Sequence, residues 1–315
     1  MIVASAPTRL DFGGGWTDVP PFPEERGGFV CNLAIERRAT VTLHASSSDE
    51  PAPAPDPLVA AALRRAGMTN VRVAIASDFP VGAGLGGSSA AGVALQAAIA
   101  AAQHQAPTAH ALAEASRATE VDELGVAGGF QDHFAAAYGG ALALTLGRTR
   151  VATPIPLSQV AIAALEARLT VIYTGESRIS AQTITAVLEA YRDRVPRVVQ
   201  ALDRMAQLAR EMAEALHVGS VSDLAALVDE HWTHQRSLHP AITTARIDAI
   251  EHAVRAAGAT GFKALGASGG GCVVALSPVG VAAGVRAAVA ELGEVLPWRV
   301  ARAGVRVEAG GAVAG

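Results

Sequence analysis

Cysteine is scarce: Cys31 and Cys272, 241 positions apart, are the only two in 315 residues. That excludes a disulfide framework, and their apolar neighbours mark them as small buried hydrophobes in a reducing compartment. No run of 18 uncharged apolar residues occurs, so the mean hydropathy of +0.31 comes from scattered Ala and Val, not from a membrane span. Positive charge is not in excess either. The 25 Lys plus Arg stand against 29 Asp plus Glu, a net charge of −4, so neither nucleic acid nor an anionic membrane is an expected partner. Only 17% of residues are charged while half are apolar, which excludes disorder as the main state. Residues 1–7 lack a basic stretch followed by an apolar one, so no secretory leader is read and a cytoplasmic location is expected.

The length suits two domains. Short β-prone runs at 2–5, 29–35, 40–44 and 71–76 make the first third strand-rich, and the proline-dense stretch 46–57 reads as a surface connector before a helix near 58–66. Breaker-free segments predict helices over 88–103 and, after the N-cap candidate Thr108, over 108–123. A strand at 141–146 precedes a turn at 147–154, where the domain boundary is placed, giving units 1–150 and 151–315. The second half predicts helices at 179–194, 198–216, 222–236, 245–257 and 281–292, strands at 168–173 and 272–276, and an alternating segment at 299–307. Without a regular βαβ alternation the fold class is α+β.

Three glycine-rich stations carry the chemistry. In the run from Asp78 to Ala91, Gly82, Gly84, Gly86 and Gly87 precede Ser88 and Ser89 at the start of a helix. Glycines let backbone approach an anion, and the free N–H groups of a helix start favour negative charge, so this reads as a phosphate cradle; a plain turn with Ser88 as helix cap is the alternative. The second station, Ala6 to Asp18, brings Gly13, Gly14 and Gly15 together with one cation, Arg9, and two groups suited to hydroxyl recognition, Thr17 and Asp18; a strand turning at glycines with a solvated Asp is the alternative. The third, Lys263 to Cys272, is another loop able to close over phosphates. Between them Glu120 and Asp132 supply two carboxylates, one suited to Mg²⁺ and one to accepting or orienting a hydroxyl proton, with a helix-cap role for Asp132 as the alternative.

Other patterns are weaker. Gly82-x-Gly84-x-x-Gly87 matches a dinucleotide fingerprint, but Asp78-Phe79-Pro80 intrudes before it and no acid follows about 20 residues later. No Lys follows these glycines, so they are not a Walker A loop. Gly266-x-Ser268-x-Gly270 imitates a nucleophile elbow, yet the predicted order is helix then strand, whereas an elbow needs strand then helix. His231, His234 and His239 lack any accompanying metal motif and read as solvated or substrate-wall residues.

The stations in this order resemble the GHMP small-molecule kinases over nearly the whole chain. Residues 12–21 (Phe-Gly-Gly-Gly-Trp-Thr-Asp-Val-Pro-Pro), Gly27-Gly28, residues 128–140 and residues 175–180 are most similar to the D-glycero-D-manno-heptose 7-phosphate kinases and the kinase part of fucokinases. Galactokinases carry Glu-His where Gly15-Trp16 stands, which argues against galactose. The resemblance implies an N-terminal domain like ribosomal protein S5 domain 2, a ferredoxin-like C-terminal domain, and ATP bound between them. It also implies direct in-line phosphoryl transfer to the anomeric hydroxyl of a sugar or sugar phosphate, with Mg²⁺.

By the same likeness Asp132 and Arg9 are catalytic, and Glu120 and Ser89 hold Mg²⁺. Pro80, Gly82, Gly84, Leu85, Gly86, Gly87, Ser88, Ser89 and Ala90, with Gly269 and Gly270, bind the nucleotide. Gly14, Gly15, Thr17, Asp18, Gln131, Arg178 and Gly270 face the sugar, Arg178 as a candidate for a phosphate already on it. Alternatives are another GHMP sugar kinase, fucokinase- or galactokinase-like, a sugar or nucleotide sensor without turnover, and, outside the family, a dinucleotide-dependent oxidoreductase.

Overall fold

The computed structural model describes residues 1–45, 56–125, 128–176 and 181–309. The first half runs β1 (Ile2–Gly13), α1 (Phe22–Arg26), β2 (Gly28–Ala45), α2 (Pro57–Arg65), β3 (Val71–Ser77), α3 (Gly87–Ala102) and α4 (Ala109–Ala118). A π-helical turn, Thr119–Glu123, continues α4; α5 (Gln131–Tyr138), β4 (Ala141–Leu146) and β5 (Arg150–Ile155) follow. The second half comprises α6 (Gln159–Arg168), β6 (Leu169–Tyr173), α7 (Ala181–Arg192), α8 (Pro196–Val218), α9 (Val221–Leu238) and α10 (Ala245–Ala256). It ends with β7 (Gly261–Ala264), β8 (Cys272–Leu276), α11 (Ala282–Ala288), β9 (Glu294–Leu296) and β10 (Arg306–Ala309).

Two antiparallel sheets result, in orders β10-β1-β2-β4-β5, with β3 also on β2, and β7-β8-β6-β9. The α+β expectation holds. The first sheet extends past residue 150, because β5 pairs with β4 and β10 returns to β1. The turn predicted at 147–154 is therefore the tip and second strand of a hairpin. The two strands predicted at 29–35 and 40–44 are one 18-residue strand, which passes its charged middle as an irregularity: Ile35 pairs with Thr8 and Arg38 with Pro7, skipping Glu36 and Arg37. Of the alternating segment 299–307, only Arg306 and Val307 are in a strand, and β7 and β9, at four and three residues, were too short to read.

Alanine-rich α3 lies in the core: Ala90, Val93, Ala94, Leu95 and Ala98 are completely buried, where a small side chain lets a helix sit close to a sheet. On the opposite face, Leu10, Phe12, Leu33 and Ile35 join Leu208 and Met212 of α8 and Val171 and Val274 of the second sheet. The first sheet is thus covered on both faces. The burial of Cys31 and Cys272 is as expected, and both are free thiols. Among the described residues no helix is long and apolar enough to cross a membrane.

Several helix starts are closed by a side chain. Asp56, Thr108, Ser158, Ser220 and Thr244 each cap a helix with a side-chain oxygen. The start of α3 has no side-chain cap: its N-cap is Gly86, left-handed at φ +75°.

Candidate functional site

The open start of α3 faces a cleft of about 230 Å³ into which all four sequence stations project. Gly86, Ser88 and Ser89 line it from the nucleotide-loop station, Glu120 and Asp132 from the acidic segment, and Gly15, Trp16 and Asp18 from the first station. The third loop contributes Gly266 and Ala267. Gly269 and Gly270 lie further back: the Gly269 N–H donates to Ile242 O (2.9 Å), and a Cβ on Gly270 would sit 2.8 Å from Glu176 O. That loop joins β7 to β8, so the elbow-like sequence lies between two strands; no helix follows it, and the reading stays excluded.

Ser88 is not a cap. Its hydroxyl donates to Glu120 Oε1 (2.8 Å), and Ser89 donates to Oε2 (3.3 Å). The π-helical turn at the end of α4 carries Glu120 to the mouth of α3, a local widening of the kind often found at functional sites. His133 Nε2 lies 3.1 Å from Glu120 Oε2 and 3.3 Å from Ser89 Oγ, while its Nδ1 lies 3.0 Å from Ser116 Oγ. Burial pushes the Glu120 carboxyl up, but His133 and the two serines outweigh it and hold it below its ordinary value.

Asp132 is inside α5, one residue past its start, and its side chain does not cap the helix. Its Oδ1 accepts from Arg9 Nε (2.8 Å) and pairs with a second guanidinium nitrogen, Nη2 (2.7 Å). Arg9 Nη1 donates to Gly84 O (2.6 Å), and the Arg9 N–H donates to Leu85 O (3.0 Å). One buried arginine thus fixes the carboxylate to the nucleotide loop. Leu85 and Ala90 are core residues, Gly82 is exposed, and Pro80 supports the turn by accepting from Ala83 N–H (3.3 Å). Gly84 and Gly87 are close-packing positions: a Cβ would stand 2.9 Å from Leu265 O or 2.4 Å from the Phe79 ring.

In the first station, Asp18 Oδ2 accepts from Phe130 N–H (2.8 Å) and Gln131 N–H (3.0 Å), so it caps α5 from across the sheet. Burial raises its pKa to about 6 against those two bonds, helped by the nearby charges of Asp132 and Asp11. Thr17 is fully buried and donates to Gly14 O (2.7 Å), so its hydroxyl shapes the loop. The glycine run is filled by protein atoms: a Cβ would meet Met212 Sδ at 2.5 Å from Gly13, Phe29 O at 1.9 Å from Gly14, and Asp11 Oδ2 at 2.4 Å from Gly15. Gln131 lines the cleft, with Oε1 buried and unpartnered. Arg178 lies outside the described residues.

The histidine group disperses. His231 Nε2 accepts from Gly14 N–H (2.9 Å), His239 Nδ1 accepts from Ala241 N–H (3.1 Å), and His234 lies beside Glu230. No cluster of three or more His, Cys, Asp or Glu that could hold a metal occurs among the described residues. Sequence reasoning missed the partnerships of Ser116, His133 and Asp11, which join residues far apart in the chain. Lys263 carried one unused signal: it is the chain's only lysine.

The two-sheet α+β scaffold sets an uncapped helix start, suited to anions, beside an arginine-held aspartate suited to a hydroxyl. The chain belongs to the GHMP kinases, whose N-terminal domain model matches residues 57–140 and whose C-terminal model matches residues 212–295. It is 27% identical over 306 residues to a bifunctional fucokinase/GDP-fucose pyrophosphorylase of Arabidopsis thaliana, covering 84% of this chain and 29% of that protein. The chain therefore spans less than a third of that relative's length. A mevalonate kinase of Pyrococcus horikoshii is 28% identical over 244 residues, 76% of this chain and 69% of that one. The crystal structure of a D-glycero-D-manno-heptose 1-phosphate kinase from Bacteroides thetaiotaomicron superposes with a TM-score of 0.80 at 22% identity, covering 98% of this chain and 99% of that chain.

Proposed function

We propose that this protein is a cytoplasmic kinase that transfers the γ-phosphoryl group of ATP to the anomeric hydroxyl of a sugar or sugar phosphate of the heptose 7-phosphate type. The observation that carries the reading is the Arg9–Asp132 pair beside the uncapped start of α3. Arg9 holds Asp132 Oδ1, which leaves Oδ2 to accept or orient the sugar hydroxyl proton. The freed sugar oxygen then bonds to the γ-phosphorus as the bridge to the β-phosphate breaks, and ADP leaves with that electron pair. Backbone N–H groups at the start of α3 receive the phosphates, and Asp18 Oδ1 accepts from a sugar hydroxyl.

The donor set fits Mg²⁺: Glu120 offers a carboxylate and Ser89 a hydroxyl, hard oxygens for an ion that takes much of its shell from phosphates and water. When bound it neutralises phosphate charge. Glu120 and Ser89 are the residues to hold it, with Ser88 alongside.

Mixing the protein with ATP, Mg²⁺ and a panel of heptose 7-phosphate, L-fucose, galactose and mevalonate, and measuring ADP, tests the reading. The expected product shows phosphorus coupled to the anomeric proton by NMR. A transferred phosphorus coupled to any proton other than the anomeric one would overturn the anomeric assignment, and no ADP with any acceptor would overturn the kinase reading.

A further inference from the structure

Of the 25 basic residues, 24 are arginine and one, Lys263, is lysine. That lysine is completely buried on β7 and reaches out of the second sheet to β1, where Nζ donates to Asp11 O (2.7 Å) and stands 3.1 Å from Asp11 Oδ2. An ammonium suits a single carbonyl and one carboxylate oxygen. A guanidinium there would bury further N–H donors without partners. Three residues along, Gly14 N–H donates to Nε2 of His231, a completely buried residue of α9.

That bond fixes the ring as neutral, with its hydrogen on Nδ1. Burial, and then the charge of Lys263, press the same way. Between the two anchors, Gly13 lies so close to α8 and α9 that a Cβ would stand 2.5 Å from Met212 Sδ and 3.3 Å from His231 Cδ2. On the cleft side, Gly15 packs on the same Asp11 carboxylate that Lys263 holds. The wall formed by Gly15, Trp16 and Asp18 is therefore seated on groups supplied by the second half of the chain. The loop before α3 is tied to the same half by a different contact, the Cys272 N–H donating to Ala83 O (2.7 Å).

We propose that Lys263 and His231 are positioning residues that set the sugar-binding loop from the second half of the chain, so that acceptor recognition depends on these two contacts while nucleotide binding does not. The inference rests on the reading that the acceptor lies against Asp18.

Two variants and one spectroscopic probe test it. His231→Ala leaves the Gly14 N–H without an acceptor and is expected to raise KM for heptose 7-phosphate about tenfold, with KM for ATP changed less than about twofold. His231→Gln restores an acceptor and is expected to recover most of the loss. In unsubstituted protein labelled with ¹⁵N-lysine, the single side-chain signal is expected to shift on adding heptose 7-phosphate and to stay in place on adding ADP. Equal rises in both KM values, no recovery by Gln, or a lysine signal indifferent to the sugar phosphate would overturn the proposal. Asp18→Ala separates the two levels: if it leaves the acceptor KM unchanged, the location of the sugar has failed. If it raises that KM while His231→Ala does not, the positioning role has failed.

Discussion

His133 is gripped at both ring nitrogens, by Ser116 at Nδ1 and by Glu120 at Nε2, 3.1 Å away. With Ser116 donating to Nδ1, the Nε2–H points at Glu120 and aims the carboxylate toward the start of α3. His133→Ala is expected to raise the Mg²⁺ concentration for half-maximal rate about tenfold, while His133→Gln, which keeps an N–H donor, loses less. Mg²⁺ titrations of the two variants check this. An identical Mg²⁺ dependence in His133→Ala and the unsubstituted protein would remove the aiming role.

Asp132→Asn keeps the shape of the side chain but removes its charge and proton-accepting capacity. The expected outcome is a kcat lower by about 10²–10⁴ with nucleotide affinity little changed. Rate measurements at saturating sugar, paired with calorimetric ADP binding, check it; an unchanged kcat would dismiss Asp132 from the chemistry.

Asp18 makes stability depend on pH. A carboxyl raised from 3.8 to about 6 in the folded state contributes stability fully below its ordinary pKa and loses it as pH rises through about 6. Each tenfold difference in proton affinity between the folded and unfolded chains is worth about 1.4 kcal/mol, so relative to Asp18→Asn the protein is expected to lose up to about 3 kcal/mol between pH 4 and pH 7. Urea melts of both proteins across that range read the difference. A gap that stays flat with pH contradicts the assignment.

The glycines of the first station should tolerate substitution unequally. At Gly14 (φ +86°) an alanine meets the Phe29 carbonyl, a backbone atom that cannot swing aside, and the left-handed conformation adds about 1–3 kcal/mol of strain. At Gly13 the obstacle is the Met212 thioether, which can change rotamer. Gly14→Ala is therefore expected to lower the melting temperature more than Gly13→Ala, and thermal unfolding with the reverse order would refute the steric account.

The stations were legible because each is local: a loop, a helix start and a few polar residues within about a dozen positions. Their convergence was foreseen only through family resemblance. Spacing could not show that Arg9 bridges to Gly84 and Asp132, or that Lys263 lies under Asp11, because those contacts depend on how helices and sheets pack. The glycine run illustrates the difference. Close approach was the correct inference, but the approaching atoms at Gly13, Gly14 and Gly15 are the protein's own. Likewise, β2 was divided in two at its charged middle, where Glu36 and Arg37 bulge out of the pairing with β1 and the strand resumes at Arg38.

The pairing of β1 with β10 sets a schedule for synthesis. Residues 2–5 are made about 300 positions before residues 306–309, their partners on that edge. At roughly 5–20 residues per second the nascent chain carries that edge of β1 unpaired for tens of seconds, a template for pairing with neighbouring chains. The sheet that bears Arg9 is completed only once β10 has been made, which leaves the start of β1 open to mispairing over that interval.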